Sequence, residues 1–250
     1  MINRLLQIPR TFLKKGLERA DFVRGGINRN DIFGALYRAW GYVFTNHLYG
    51  DYIEFGVYTG DSLCESFNAY KPHKKWLTHE LKNKEIWRRE LAQKYVTWEP
   101  NFHGFDTFDG MPPNDEDKRF FVQGSYKSAI DNVIKRCKGI GLEKPILHLY
   151  KGLFHETKNI FQGNIQNRKA AIVHIDCDLY ESAKEALRII SPYLQQGTIL
   201  LFDDFNCFSS INSKGERRAL KEFLQTRHHY FEPFFSYKFV GQSFICHLMI

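Results

Sequence analysis

Five short apolar runs divide the chain, and they dominate its hydrophobic pattern. The runs are DYIEFGV at 51–57, NFHGFD at 101–106, ILHLYKG at 146–152, AAIVHID at 170–176 and GTILLFDD at 197–204. Each is rich in apolar and β-branched residues, and most are followed by a loop and then a segment with helical periodicity. This alternation predicts an α/β fold of the Rossmann-like type, a mostly parallel sheet with helices on both faces.

The remaining segments complete the predicted fold. The stretch ESAKEALRIISPYL at 181–194 indicates an amphipathic helix, with one apolar face formed by Ala183, Ala186, Leu187, Ile190 and Leu194. The first fifty residues also have helical patterns, and we expect the aromatic stripe of IFGALYRAWGYVF at 32–44 to lie in the core. Two β-rich runs around Gly241 predict a C-terminal antiparallel hairpin at the sheet edge. We expect a single domain over 1–250, with a helical extension at 1–50 and the core at 51–250.

Composition narrows the class of protein. With 43% hydrophobic residues in 250, the chain can bury one large core. Its five cysteines are odd in number and have no CxxC spacing, which argues against a disulfide framework and predicts the reducing cytoplasm. No apolar stretch approaches the roughly 20 residues of a membrane span, and the charges interleaved near the N-terminus argue against a signal peptide.

The net charge of +7 is spread along the chain, with basic clusters in KPHKKW at 71–76 and KNKEIWRRE at 82–90. A helix face in solvent is the simplest interpretation. An acidic substrate or weak peripheral contact with an anionic membrane stays open as an alternative. No arrangement of basic and aromatic residues indicates nucleic-acid binding.

Glycines and an aspartate follow the first two apolar runs, where a parallel sheet places its ligands. In EFGVYTGDS, we expect Gly56 and Gly60 to let the backbone approach a ligand closely, and a helix that begins near Ser62 to offer free N–H groups. Tyr58 stands where the dinucleotide fingerprint has its middle glycine. Asp106 could accept hydrogen bonds from a ribose diol. Tight packing of the turn, or an aspartate that caps it, would explain the same residues.

Four aspartates lie at the ends of the fourth and fifth runs, in HIDCDLY and LFDDF: Asp176, Asp178, Asp203 and Asp204. Carboxylates this crowded repel one another, and a divalent cation would remove the conflict. Oxygen ligands without partner cysteines favour magnesium or a similar ion. Strand alternation predicts that Asp176 and Asp178 point to the same side. His174, among apolar neighbours, is expected to be a core residue.

Taken in order, IEFGVYTGDS, GFDTFDGMP, YKGLFHET, HIDCDLYESAKEAL and QGTILLFDDF resemble the macrocin O-methyltransferase (TylF-type) family over about residues 51–206. The resemblance implies a class I methyltransferase fold, S-adenosyl-L-methionine as methyl donor, Mg²⁺ dependence and a homodimer or larger assembly. It also implies a hydroxyl of a sugar, glycan or glycosylated metabolite as acceptor, which can be phosphorylated or nucleotide-linked. The stretch 71–100 is longer than the family usually carries.

The resemblance also assigns roles within the site. It implies that Asp176, Asp203 and Asp204 bind the metal and that Asp178 acts as general base. The expected cofactor site is formed by the residues around the glycine turn and the second and third runs: Glu54, Gly56, Val57, Tyr58, Gly60, Ser62, Asp106 and Gly152.

Two other functions remain compatible with parts of the sequence. A metal-dependent glycosyltransferase uses DxD at a strand end to hold a nucleotide-sugar diphosphate, and HIDCDLY alone would suit that role. Such an enzyme would need neither the EFGVYTG turn nor the second aspartate pair. A non-catalytic module that binds S-adenosylmethionine would leave the general-base position without a role.

Overall fold

The computed structural model describes residues 29–116, 121–225 and 228–249. Its centre is a seven-stranded sheet in the order β3-β2-β1-β4-β5-β7-β6. The strands are β1 (Asp51–Phe55), β2 (Phe102–Asp106), β3 (Leu147–Lys151), β4 (Ala170–Ile175), β5 (Ile199–Phe202), β6 (His229–Tyr237) and β7 (Gly241–Leu248). The first five are parallel, while β7 pairs antiparallel with both β5 and β6.

Seven α-helices of the described residues surround the sheet. They are α1 (Ile32–Thr45), α2 (Asp61–Glu80), α3 (Ile86–Val96), α4 (Ile130–Gly139), α5 (Phe154–Ile165), α6 (Tyr180–Ile190) and α7 (Gly215–Leu224). Buried residues of α1 to α4 form one apolar core with the sheet, and those of α5, α6 and α7 form a second. Helices therefore cover both faces, and the predicted α/β class is confirmed.

The predicted strands begin and end within three residues of the observed ones, and the hairpin around Gly241 is confirmed. The helix predicted over 181–194 ends earlier, at Ile190, because a short 3₁₀ turn containing Pro192 follows it. Leu194 is buried but lies beyond the helix. The aromatic stripe of α1 is buried, with Trp40 fully enclosed. Of the expected N-terminal extension, residues 1–28 lie outside the described residues.

A buried charge network fixes the amino-terminal ends of the strands. Asp51, fully buried at the start of β1, accepts hydrogen bonds from Arg168 Nε at 2.8 Å and from the backbone N–H of Asn101 at 2.8 Å. His103 Nε2 lies 3.2 Å from the same carboxylate. Burial alone would raise the pKa of Asp51, but His103 and Arg168 lower it below its usual value. This network joins β1, β2 and the segment before β4.

The carboxyl ends of β1 and β4 form the point where the chain changes direction across the sheet. From β1 the chain adds β2 and β3 on one side, and then returns to add β4 and β5 on the other. Ligands of such sheets bind in the crevice at this switch point. Among the residues that the structure describes, no helix is long and apolar enough to cross a membrane.

Candidate active site

A cavity of about 580 Å³ opens at the switch point. Its wall contains the turn after β1, the loop after β2, the loop after β4 and the start of α6. Seven of the residues predicted for the site line it: Gly56, Val57, Tyr58, Ser62, Asp106, Asp176 and Asp178. The other five do not belong to its wall: Glu54, Gly60, Gly152, Asp203 and Asp204.

Asp106 organises the turn after β1. Its Oδ2 accepts hydrogen bonds from the backbone N–H groups of Val57 and Tyr58, both at 2.8 Å. Its Oδ1 accepts one from the N–H of Phe108 at 2.6 Å. A carboxylate has about four lone-pair sites, so Asp106 retains acceptor capacity toward the cavity that it lines. The turn is thus shaped by an aspartate that also faces the open space.

Gly56 is required by the packing of two strands. Its φ is +95°, and a Cβ atom there would lie 1.8 Å from the carbonyl oxygen of Asp176. The sequence predicts that Gly56 allows close approach of a ligand, whereas the close approach that requires a glycine here is to the backbone of Asp176. At Gly60, with φ +79°, a Cβ would lie 2.8 Å from a methyl group of Val133. Both glycines bring the turn close to its neighbours in the fold.

Glu54 lies beneath the turn and is fully buried. Its Oε1 accepts a hydrogen bond from Ser62 Oγ at 2.7 Å, and its Oε2 accepts one from the hydroxyl of Tyr52. His174 Nδ1 lies 3.6 Å from the same Oε2. Glu54 therefore joins the first turn of α2 to the interior of β4, one layer below the cavity.

A cluster of polar side chains lies at the carboxyl ends of β4 and β5. Ligand atoms of His174, Asp176 and Asp203 all lie within 4.8 Å of one another. Asp203 also forms an ion pair through Oδ2 with Lys238, which comes from the turn between β6 and β7 and lines the cavity. Of the three predicted metal ligands, Asp176 and Asp203 belong to this group, with His174 beside them.

The electrostatics of the cluster follow from its burial. Burial and the charge of Asp203 raise the pKa of Asp176 to about 8. Burial would also raise the pKa of Asp203, but His174 and Lys238 beside it lower that pKa to about 2. Burial would lower the pKa of His174, yet Asp203 and Glu54 raise it to about 10. The cluster thus holds one firmly ionised carboxylate and one that retains its proton near neutral pH.

Asp178 departs from the predicted strand geometry. Strand β4 ends at Ile175, and Asp178 follows in a left-handed conformation with φ +57°. The alternation argument for Asp176 and Asp178 is therefore wrong, because only the strand itself alternates. Both residues nevertheless line the same cavity. Burial, together with a hydrogen bond to Asp204 and the charge of that residue, raises the pKa of Asp178 to about 8.

Asp204 is held by a carboxylate that the sequence analysis missed. Its backbone N–H donates to Glu216 Oε2 at 3.1 Å, and its Oδ1 accepts from Cys207 Sγ at 3.2 Å. Glu216, in the first turn of α7, is buried, and burial with the charge of Asp204 raises its pKa well above the usual value. Five carboxyl groups, Glu216 included, therefore lie in this region.

Three buried polar atoms of the cluster have no hydrogen-bond partner among the described residues: His174 Nε2, Asp203 Oδ1 and Glu216 Oε1. His174 Nε2 and Asp203 Oδ1 lie 3.5 Å apart. The two carboxyl oxygens among these atoms, Asp203 Oδ1 and Glu216 Oε1, lie beside crowded carboxylates, an environment that a divalent cation stabilises. The donor set of the cluster thus fits a metal ion.

Sequence patterns carried no signal for Lys238 and little for Glu216. Lys238 lies in a hairpin turn that reaches the site only because β7 pairs with β5. Glu216 begins an ordinary amphipathic helix, GERRALKEFL, in which a first-turn glutamate is the common pattern. The expectation that His174 is a core residue agrees with its burial, although its Nε2 lacks a partner in the described chain.

Known proteins share this architecture. The O-methyltransferase NovP has 17% sequence identity and a TM-score of 0.62 over 85% of this chain and 78% of its own. The calicheamicin methyltransferase CalS11 has 23% identity and a TM-score of 0.57 over 85% of this chain and 76% of its own. An O-methyltransferase from Bacillus cereus has 8% identity and a TM-score of 0.51 over 86% and 81%. These likenesses show a class I methyltransferase fold.

Comparison of the sequence with family models identifies the family, which the fold alone does not. No curated protein sequence matches the chain significantly. Residues 85–235, more than half of the chain, match the family described as Macrocin-O-methyltransferase (TylF), as the motifs around the aspartates predicted. The chain is therefore a methyltransferase and belongs to the macrocin O-methyltransferase family.

Proposed function

We propose that the protein transfers a methyl group from S-adenosylmethionine to a hydroxyl of a sugar unit, with Asp178 as general base and Mg²⁺ as cofactor. The observation that carries the proposal is one cavity lined both by the glycine turn and by Asp176 and Asp178. Two of the similar structures support this proposal. CalS11 is described as a TDP-rhamnose 3′-O-methyltransferase, and the Bacillus cereus O-methyltransferase is described in complex with S-adenosylhomocysteine.

At the cofactor end, the turn after β1 would receive the adenosyl group. Val57, Tyr58 and Ser62 line that wall, and Asp106 offers its remaining acceptor sites to a ribose diol. Glu54, Gly60 and Gly152 would support this wall from behind, since none of them lines the cavity. The bound S-adenosylmethionine supplies an electrophilic methyl group. The chain's own task is to hold the acceptor oxygen in line with that group.

At the acceptor end, Asp178 is placed to take a proton. It lines the cavity, and its pKa of about 8 is close to the working range of a general base near neutral pH. Asp178 lies beyond the strand end and outside the group of ligand atoms formed by His174, Asp176 and Asp203, so Asp176 and Asp203 remain to hold the cation.

The cation would be held by Asp176, Asp203 and Asp204. His174, whose pKa Asp203 and Glu54 raise to about 10 despite its burial, would remain a positive charge beside Asp203. When bound, Mg²⁺ would lower the pKa of an acceptor hydroxyl and fix its orientation. Lys238 would have to share Asp203 with the ion, because its ammonium group pairs with the same carboxylate. Glu216 would fix the backbone of Asp204 through the hydrogen bond at 3.1 Å.

The charge of the cavity wall limits which part of the acceptor can enter the cavity. Six acidic side chains and one lysine line it: Asp61, Asp106, Asp176, Asp178, Glu181, Glu185 and Lys238. Burial raises the pKa of two of the six, Asp176 and Asp178, to about 8. An acidic wall favours uncharged hydroxyl groups over phosphate. The methylated sugar ring would therefore lie inside the cavity, and a phosphate or nucleotide on the acceptor would lie outside it.

The test is single-turnover methyl transfer from S-adenosylmethionine to a panel of free sugars, nucleotide sugars and glycans. Asp178→Asn should lower the rate by about 10² to 10⁴ with metal and cofactor binding nearly unchanged, the usual effect of removing a general base. Asp176→Asn should fail through weakened metal binding and recover partly at high Mg²⁺ concentration. Asp131→Asn, on the exposed surface of α4, is the matched control and should leave the rate unchanged.

Two results would contradict this assignment of roles. One is recovery of Asp178→Asn at high Mg²⁺ concentration. The other is an Asp176→Asn variant that binds metal normally in calorimetry and still fails to transfer the methyl group.

A further inference from the structure

The hairpin of α2 and α3 ends in an exposed apolar and basic surface. This surface, residues 75–87, is called the helical tip below. Three large apolar side chains project from it: Trp76 is 50% exposed, Ile86 63% and Trp87 61%. Large apolar side chains that cluster at a surface mark an interaction site more often than single exposed ones do.

The two indoles belong to one surface. Trp76 and Glu80 lie one helical turn apart on α2 and so share a face. Glu80 Oε2 lies 3.6 Å from Arg88 Nη1, and the guanidinium carbon of Arg88 lies 5.2 Å from the centre of the Trp87 ring. Contacts from Glu80 through Arg88 to Trp87 therefore connect α3 to the face of α2 on which Trp76 lies.

Positive charge is concentrated around the same surface. The helical tip itself contains three lysines and two glutamates, and with the flanking residues of α2 and α3 the range 71–96 contains eight lysines and arginines against three glutamates, a net charge of +5. Lys75, Lys82 and Lys84 are exposed, and none of them forms an ion pair with any residue that the structure describes. These three ammonium groups are free to meet an anionic surface.

The helical tip extends beyond the amino-terminal edge of the sheet. Helix α2 begins beside the cavity and has 20 residues, a length of about 30 Å at 1.5 Å per residue. Lys74 on this helix pairs with Glu99, three residues before β2 begins, at 3.2 Å. The residues after Lys74 therefore project past the strands, on the opposite side from the cavity.

We propose that the helical tip docks on an anionic lipid bilayer, with Trp76, Ile86 and Trp87 entering the headgroup region and the free lysines facing the acidic lipids. Tryptophan and lysine beside aliphatic side chains are the composition of interfacial anchors. The proposal is independent of the acceptor and of the metal. Since the cavity opens at the other edge of the sheet, docking leaves it accessible from solvent.

Two other partners fit the surface less well. In a twofold dimer made through the helical tip, the same lysine-bearing surface of both copies would come together, and like charges at an interface oppose association. Nucleic acid would use the positive charge but would give no partner to the aliphatic side chain of Ile86. An anionic bilayer provides both an apolar layer and negative charge.

The experiment is flotation of the full-length protein with vesicles of phosphatidylcholine alone or mixed with phosphatidylglycerol. We expect binding to the mixed vesicles only, weakened by salt because the charge contribution is screened. Tryptophan fluorescence gives a second readout. Of the four tryptophans, Trp40 and Trp98 are buried, while Trp76 and Trp87 lie in the helical tip. A blue shift on mixed vesicles should therefore come from the tip and be lost in Trp76→Ser/Trp87→Ser.

Matched variants separate the surface from general effects. Ile86→Ser should weaken vesicle binding, while Ile160→Ser on α5, 62% exposed, should not. Lys82→Glu/Lys84→Glu should weaken it about 20-fold or more, since each lysine near an anionic membrane contributes about fivefold. Lys135→Glu on α4 is the charge control. Every variant should unfold at the wild-type temperature and bind S-adenosylhomocysteine as the wild type does.

Three outcomes would overturn the proposal. They are equal binding to both vesicle types, equal loss in Ile86→Ser and Ile160→Ser, and no vesicle binding together with a smaller assembly for Trp87→Ser in analytical ultracentrifugation. The last result would assign the helical tip to a contact between copies of the chain.

Discussion

Replacing Gly56 with alanine tests whether this position serves the packing of β1 against β4. The added Cβ would lie 1.8 Å from the carbonyl oxygen and 2.6 Å from the carbonyl carbon of Asp176. An ordinary contact begins at 3.4 Å, so the two segments would have to separate by about 1.6 Å. That movement would break the hydrogen bond from Asp176 N–H to the carbonyl of Phe55, now 2.9 Å long.

The expected cost has two parts. The left-handed conformation, with φ +95°, costs alanine about 1–2 kcal/mol. Separation of the strands adds the loss of packing and of a buried hydrogen bond, and we expect a total of about 4 kcal/mol or more. Gly141→Ala is the matched control, because Gly141 has φ +85° and no atom within 4 Å of the added Cβ.

Urea denaturation gives the free energy of unfolding of both variants, and calorimetry gives their Mg²⁺ affinity. Gly56→Ala should be much less stable than Gly141→Ala, and its metal binding should weaken because Asp176 moves. Equal destabilisation of the two variants would refute the packing role of Gly56.

Two further predictions concern stability away from the cavity. Arg168→Ala should lower the free energy of unfolding by about 3 kcal/mol, since it removes one partner of a buried ion pair and leaves Asp51 with only His103 and the Asn101 N–H. Lys138→Ala, which removes an exposed ion pair at 3.8 Å, should change it by less than about 1 kcal/mol in the same urea titration. Burial lowers the pKa of His73 from 6.5 to about 4, so the unfolded chain binds more protons between these values. His73 should therefore contribute a loss of up to about 3 kcal/mol as the pH falls from 6.5 to 4, and His73→Gln should lack this contribution relative to the wild type.

The fold was predictable because it depends on patterns that lie within short segments. Each of the five parallel strands appears as an apolar run, and the run after β4 has the periodicity of α6. The hairpin of β6 and β7 follows from two β-rich runs around Gly241. These signals can be recognised without knowing which strands and helices pack together. For this reason they lead to the correct fold class.

The site was predictable only in part, because its geometry depends on contacts between distant segments. Motif order located Asp176 and Asp203, which lie together. The left-handed turn at Asp178 could not be predicted, since a residue beyond the strand end no longer follows its alternation. The ion pair between Lys238 and Asp203 joins residues 35 positions apart through the antiparallel hairpin. The steric need for Gly56 likewise becomes visible only when the Asp176 carbonyl is in place.

Calorimetry with S-adenosylhomocysteine and with uridine diphosphate, each with and without Mg²⁺, tests the central claim most directly. If the turn after β1 and Asp106 form the cofactor site, S-adenosylhomocysteine binds in both conditions, because neither element depends on the metal. Uridine diphosphate should show no binding that requires Mg²⁺. Metal-dependent binding of uridine diphosphate, together with no binding of S-adenosylhomocysteine, would contradict the account and assign the aspartates to a nucleotide-sugar site.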